Sequence, residues 1–162
     1  MKKVARSAHL TKLVFFIFLA EFVGVVGSLF TLPVIPTWYA SLNKPFFTPP
    51  TWLFGPVWVA LYALMGIASF MIWEKKKSKI RSEGLVLFFV QLILTAQWSI
   101  VFFGLQSPLA GMTNIIAIWC LVLATILKFF QLEKRAAYLL FPYYLWVSFA
   151  TVLNVAIVLL NY

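Results

Sequence analysis

The sequence predicts an all-α membrane protein: a bundle of five transmembrane helices with a Pro/Trp-rich loop between the first two. Three observations carry this expectation. The 162 residues are 64% hydrophobic and only 10% charged, where a soluble domain carries about 25% charged residues, and the mean hydropathy is +0.99. Five apolar stretches, near 10–30, 52–73, 84–105, 109–131 and 136–160, come close to the roughly 20 residues that a helix needs to cross the hydrocarbon core. All of the 13 Lys and Arg residues except Lys44 fall on one side of such a bundle. The whole chain, 1–162, reads as one domain.

The first stretch follows Lys2, Lys3, Arg6 and Lys12. It is long, carries Glu21 and lacks a small-residue cleavage site, so it predicts a retained helix and not a signal peptide. Ala20, Gly24 and Ser28, with Gly27 beside them, permit close helix contact, within the chain or in a homodimer. Pro33, Pro36, Pro45, Pro49, Pro50 and Pro56 then cluster with Trp38, Trp52 and Trp58. Proline fixes φ and removes a backbone donor, which predicts no ordinary helix until after Pro56. The loop reads as the lid of a pocket for a flat apolar ligand. Glu74–Glu83 is the most polar connection, Gln106-Ser107-Pro108 a tight turn, and Leu132–Arg135 a short basic connector. Pro142, inside the fifth stretch, predicts a freed Tyr138 carbonyl and a kink one turn before Trp146.

Five spans put the N-terminus and the 74–83 and 132–135 connections on one side. Lys2, Lys3, Arg6, Lys12, Lys75, Lys76, Lys77, Lys79, Arg81, Lys128, Lys134 and Arg135 gather there. The bias predicts a cytoplasmic N-terminus, with the aromatic loop and C-terminus outside. The expected location is a bacterial inner membrane. The net charge of +9 is thereby assigned to orientation and to anionic lipid, not to nucleic acid.

Helical spacing aligns Trp58, Tyr62, Met65 and Ser69 on the second helix. It aligns Gln91, Thr95, Trp98 and Phe102 on the third, and Tyr143, Trp146, Ala150 and Asn154 on the fifth. Each face mixes rings with uncharged hydrogen-bonding groups, which are unfavourable against lipid and should turn inward. Three such faces would enclose a ring-lined cavity of the kind that takes small molecules. Simple packing explains Trp58 and Trp146 equally well at this stage, and Trp38 and Trp52 fit either role. Trp73 is expected to be an interface anchor, and Trp119 to pack against protein or lipid.

Some chemistry is excluded. His9 and Cys120 are single, no Asp occurs, and the only acids are Glu21, Glu74, Glu83 and Glu133. No hydrolytic constellation, metal cluster or phosphate loop follows from these. Glu21 is the one ionisable residue deep in a span. It is expected to stay protonated or to bond a neighbouring helix, with a functional role as the alternative.

The stretch Trp38-Tyr39, Leu42, Lys44-Pro45, Pro49-Pro50, Trp52 and Phe54-Gly55-Pro56-Val57-Trp58 resembles the signature of the TspO/MBR family, the tryptophan-rich sensory proteins and translocator proteins. Gln91-Leu92, Trp98-Ser99 and Phe102-Phe103-Gly104 are similar to its third helix. Pro142-Tyr143, Trp146, Phe149-Ala150 and Leu153-Asn154 are similar to its fifth. The resemblance implies five helices around a pocket beneath the first loop. It implies porphyrins such as protoporphyrin IX as ligands, and in some members sterols and synthetic isoquinoline carboxamides or benzodiazepines. Tyr39, Trp58 and Trp146 match its pocket positions. With the aligned faces, the expected binding set is Tyr39, Pro45, Trp52, Trp58, Tyr62, Thr95, Trp98, Tyr143, Trp146, Ala150 and Asn154. Two departures stand out: Thr95 where the family usually has Asn, and Asn114 where it usually has an acid. The animal sterol pattern is missing at the chain end, since no Lys or Arg follows Arg135. Val34, Tyr39 and Lys44 fit that pattern only by loose spacing.

Three functions compete. The leading one is a porphyrin-binding sensor, scavenger or carrier that needs no cofactor. The second is light-dependent porphyrin degradation through Trp58 and Trp146. The third is a small proton-coupled multidrug exporter that uses Glu21.

Overall fold

The computed structural model describes the backbone of residues 2–162 and the side chains of residues 9–162. Lys2, Lys3 and Arg6, counted above for orientation, have side chains outside the described residues. Among the described residues there are six α-helices: α1 Lys2–Thr31, α2 Thr51–Trp73, α3 Lys79–Ser99, α4 Pro108–Phe130, α5 Lys134–Leu139 and α6 Phe141–Asn161. They form five stretches long and apolar enough to cross a membrane, with α5 and α6 together making the fifth. Large apolar side chains such as Phe15, Phe18, Val86, Ile93, Leu145 and Leu159 lie exposed on the outside, as a lipid solvent requires.

Helical structure extends further than the prolines suggested. Past Thr31 the chain continues through a 3₁₀ turn, Leu32–Val34, and a π-helical turn, Ile35–Tyr39. Pro33 and Pro36 each fall within the first two positions of these turns, where a missing N–H costs least. The expectation that no helix precedes Pro56 is corrected as well. α2 starts at Thr51 and holds Pro56 inside it. One missing N–H near a helix start leaves a single carbonyl, that of Trp52, without its usual donor. A second π turn, Ile100–Gly104, continues α3 and is closed by the Leu105 amide donating to the Ile100 carbonyl at 2.8 Å.

At the kink predicted for Pro142, the regular α-helix is interrupted at Leu140, whose backbone stays right-handed helical. The Leu140 amide turns back to the Ala137 carbonyl at 3.0 Å, and the helix restarts at Phe141 with Pro142 in its first two positions. The expected Gln106–Pro108 turn is present. Gln106 takes a positive φ of 52°, and the Ser107 hydroxyl accepts from the Ala110 amide at 3.3 Å to cap α4.

The bundle has a charged end and a loop end. At the charged end Lys12 and His9 pair with Glu74, Lys75 with Glu133, and Lys128 and Lys79 with Glu83. The Lys75 ammonium donates to Glu133 and holds its carboxyl below the usual carboxylate range. Arg81, buried, donates through Nη2 to the Trp73 carbonyl at 2.6 Å and through Nε to the Ile72 carbonyl at 3.3 Å. Its guanidinium also lies 4.8 Å from the Trp73 ring centre, so it caps α2 and fixes the turn into α3. At the loop end, Asn43 and Asn161 clasp each other. The Asn43 amide donates to Asn161 Oδ1 at 3.0 Å, and Asn161 Nδ2 donates to the Asn43 carbonyl at 2.9 Å. Lys44 donates to the carbonyls of Tyr39, Ala40 and Leu42 and so caps the extended first helix.

Candidate functional site

Beneath the loop lies a cavity of about 330 Å³, within the usual range for small-molecule sites. Four elements build it. α2 contributes Thr51, Phe54, Gly55, Trp58, Val59 and Tyr62, a stripe at spacings of three and four that forms one helix face. α3 and its π turn supply Thr95, Trp98, Ser99, Phe102 and Phe103, and α6 supplies Trp146, Ala150, Leu153, Asn154 and Ile157. The first helix closes the fourth side, from Glu21 to Tyr39. Both π turns deliver rings to this space, Tyr39 from one and Phe102 and Phe103 from the other. The wider turn shifts the side-chain register relative to an α-helix.

The rings are organised. Trp58 stacks on Tyr62 with centres 5.3 Å apart, and Trp98 stacks on Phe102 at 5.1 Å. Phe54 meets Trp146 nearly edge-on at 5.8 Å. Trp98 Nε1 donates to Asn154 Oδ1 at 3.5 Å, and Asn154 Nδ2 donates to the Pro108 carbonyl at 3.2 Å. Trp146 Nε1 is buried and has no hydrogen-bond partner. Leaving such a buried polar atom unpaired costs about 1–3 kcal/mol.

Of the expected binding set, Tyr39, Trp58, Tyr62, Thr95, Trp98, Trp146, Ala150 and Asn154 line the cavity. Three others do not. Trp52 is 71% exposed; six residues before Trp58, it sits about 120° away around α2, off the cavity stripe. Pro45 stays in the loop, where its carbonyl accepts from the amide and hydroxyl of Thr48 at 3.0 and 2.7 Å. Tyr143 is fully buried behind the wall. Its hydroxyl is held between Gln91 Oε1 and Thr95 Oγ1, each at 2.9 Å, so its polar group is already spent. The Thr95 hydroxyl itself donates to the Gln91 carbonyl at 2.8 Å.

Trp38 packs on Phe102, with ring centres at 5.6 Å, and does not line the cavity. Trp119 donates to the Ser148 hydroxyl at 2.8 Å, consistent with packing. Asn114, the second departure from the family pattern, is buried with its Oδ1 unpartnered.

Sequence reasoning missed the α1 wall. Gly24, Gly27 and Ser28 read as a packing stripe, and the two glycines do pack within the chain. A Cβ at Gly24 would meet Tyr62 Cε2 at 2.6 Å, and one at Gly27 the Ser99 hydroxyl at 2.8 Å. The available signal was Glu21, three residues before Gly24 and seven before Ser28, on the same face.

The sequence model of the TspO/MBR family matches residues 16–160. The chain is 47% identical over 156 residues to the tryptophan-rich protein TspO of Archaeoglobus fulgidus, covering 94% of this chain and 99% of that one. It is 35% identical over 125 residues to the tryptophan-rich sensory protein of Cereibacter sphaeroides, covering 77% of each. With the human translocator protein it shares 36% identity over 132 residues, 80% of this chain and 78% of that one.

Proposed function

The chain belongs to the TspO/MBR family, and from this premise we propose that it binds a porphyrin, or a similarly flat hydrophobic ligand, in the loop-end cavity. In this role it serves the membrane as sensor, scavenger or carrier. One observation supports the reading above the rest: Trp58, Trp98 and Trp146 wall a single cavity beneath the loop. A porphyrin is a flat π-system with polar atoms at its rim. The rings would stack on its face.

Protoporphyrin IX titrated into purified protein in detergent, followed by quenching of tryptophan fluorescence, tests this. Saturable one-site binding is expected, and it should survive Trp73→Ala, because Trp73 lies at the opposite end of α2. Binding that is lost equally with Trp73→Ala and Trp58→Ala would place the site elsewhere. The same sample under illumination addresses light-dependent degradation, which the presence of two oxidisable indoles, Trp58 and Trp146, around one cavity favours. Loss of porphyrin absorbance in light that stops with Trp146→Phe would support an enzyme; a stable spectrum would leave binding alone.

The proposed orientation is N-terminus inside and C-terminus outside a cell membrane, supported by the cations at the charged end. An alkaline phosphatase fused after Tyr162 in a bacterial host should be active, and a silent fusion would reverse the orientation.

A further inference from the structure

We propose that the cavity also binds hydrophobic organic cations, with the Glu21 carboxylate as counter-charge and the stacked Trp58–Tyr62 pair as a cation–π wall. The inference goes beyond porphyrin binding and shares with it only the premise that this cavity is a ligand site.

Three observations carry it. First, among the described residues Glu21 is the acid without an ion pair: Glu74, Glu83 and Glu133 each have a basic partner at the charged end. A lone carboxylate in the hydrocarbon region is costly and usually functional. Second, the cavity wall contains Glu21 but no Lys, Arg or His, so its formal charge is negative or zero. That charge is complementary to a cation. Third, the aromatic pair and Glu21 line the same cavity. Gly24, one turn along from Glu21, lies so close to the Tyr62 ring that a Cβ there would sit 2.6 Å from Cε2, and Trp58 stacks on that same ring at 5.3 Å. A carboxylate that shares a cavity with electron-rich rings is the chemistry that recognises ammonium and phosphonium groups, and desolvation strengthens it. The route in also fits a membrane-partitioning ligand. Val25 of α1 and Val59 of α2 line the cavity yet are 57% and 58% exposed, and a Cβ on Gly55 would meet no heavy atom within 4 Å. The side between α1 and α2 therefore opens toward lipid.

The test uses the full chain in detergent and two probes of similar shape, cationic tetraphenylphosphonium and neutral triphenylphosphine oxide, with protoporphyrin IX titrated separately. Wild-type protein should bind the phosphonium, and protoporphyrin IX should compete with it. Glu21→Gln should weaken the phosphonium at least tenfold more than the phosphine oxide. Glu21→Asp, which keeps the charge, should restore the phosphonium to within about threefold of wild type. Equal losses for both probes, or an Asp variant as weak as the Gln variant, would overturn the role of the charge. Simultaneous binding of phosphonium and porphyrin to wild-type protein would overturn the placement, and that experiment does not depend on any variant folding. A wild-type protein that binds porphyrin but no phosphonium sinks this inference alone. One that binds the phosphonium through Glu21 but no porphyrin sinks the porphyrin reading alone.

Discussion

From Met65 to Ile72 of α2, the inward side chains Met65, Ala68, Ser69 and Ile72 are completely buried. From Thr51 to Tyr62 the same helix borders a cavity. The two halves draw on the same kinds of residue, aromatic and aliphatic, yet one is solid and the other hollow. Small residues set the difference. At the charged end Ala68, Ala136 and Ala137 are fully buried, and α1 crosses α2 so closely at Gly66 that a Cβ there would stand 2.5 Å from the Ile17 Cα. Phe88 and Phe129 then stack at 6.2 Å and fill what remains. At the loop end the first helix leaves its α-helical path at Leu32 and α3 leaves its own at Ile100. Rings there line a space instead of filling it. A hollow half can hold a ligand because a solid half, rimmed with ion pairs, holds the helices.

The largest way to break this comparison is at Gly66. Gly66→Leu should force α1 off α2 and cost at least the ~1–3 kcal/mol of core overpacking, read as a large fall in melting temperature and in folded yield. The counterpart at the hollow end is Gly55→Ala, whose new methyl meets open space. It should leave the melting temperature unchanged or raise it, since Ala exceeds Gly in helix propensity by about 1 kcal/mol. Equal damage at both glycines would erase the distinction between the halves.

Next in size come the cavity rings. Trp58→Ala or Trp146→Ala should weaken protoporphyrin IX roughly ten- to hundredfold, taking the ~1–3 kcal/mol of ring stacking as a guide, with little change in melting temperature. Trp146→Phe should cost less, because it removes the N–H and keeps most of the apolar area. Fluorescence titration beside a thermal melt separates the two effects.

The smallest effect belongs to the charged rim. The Lys75 hydrogen bond depresses the Glu133 carboxyl pKa in the folded protein. The stability it adds is therefore present above the ordinary carboxylate pKa and disappears as pH falls through the lowered folded value. Lys75→Met should flatten that part of the acid-side decline in melting temperature. Porphyrin affinity at neutral pH should not respond, the rim being at the far end from the cavity.

Much of this architecture was legible in the sequence. The spans were, because lipid tolerates only long apolar helices. The inward faces of α2, α3 and α6 were, because rings and amides recur there at helical spacing. Other features depended on the path of the backbone. Pro56 misled because a proline in the early turns of a helix frees only one carbonyl. Trp52 and Pro45 belong to the motif yet stand outside the wall, since a motif records neighbours in sequence and not a helix face. Tyr143 lies on the right face but one turn too deep, where Gln91 and Thr95 take its hydroxyl. The α1 wall stayed hidden because glycine and serine at four-residue spacing read the same way whether a helix or a cavity lies opposite.

The central claim is that the hollow half is the ligand site, and filling it tests that most directly. Ala150, on the cavity wall, changed to Phe puts a ring into the space without removing any existing contact. We predict a folded Ala150→Phe protein, with a melting temperature near wild type, whose protoporphyrin IX affinity falls at least tenfold. A folded Ala150→Phe protein that binds protoporphyrin IX as tightly as wild type would contradict the account.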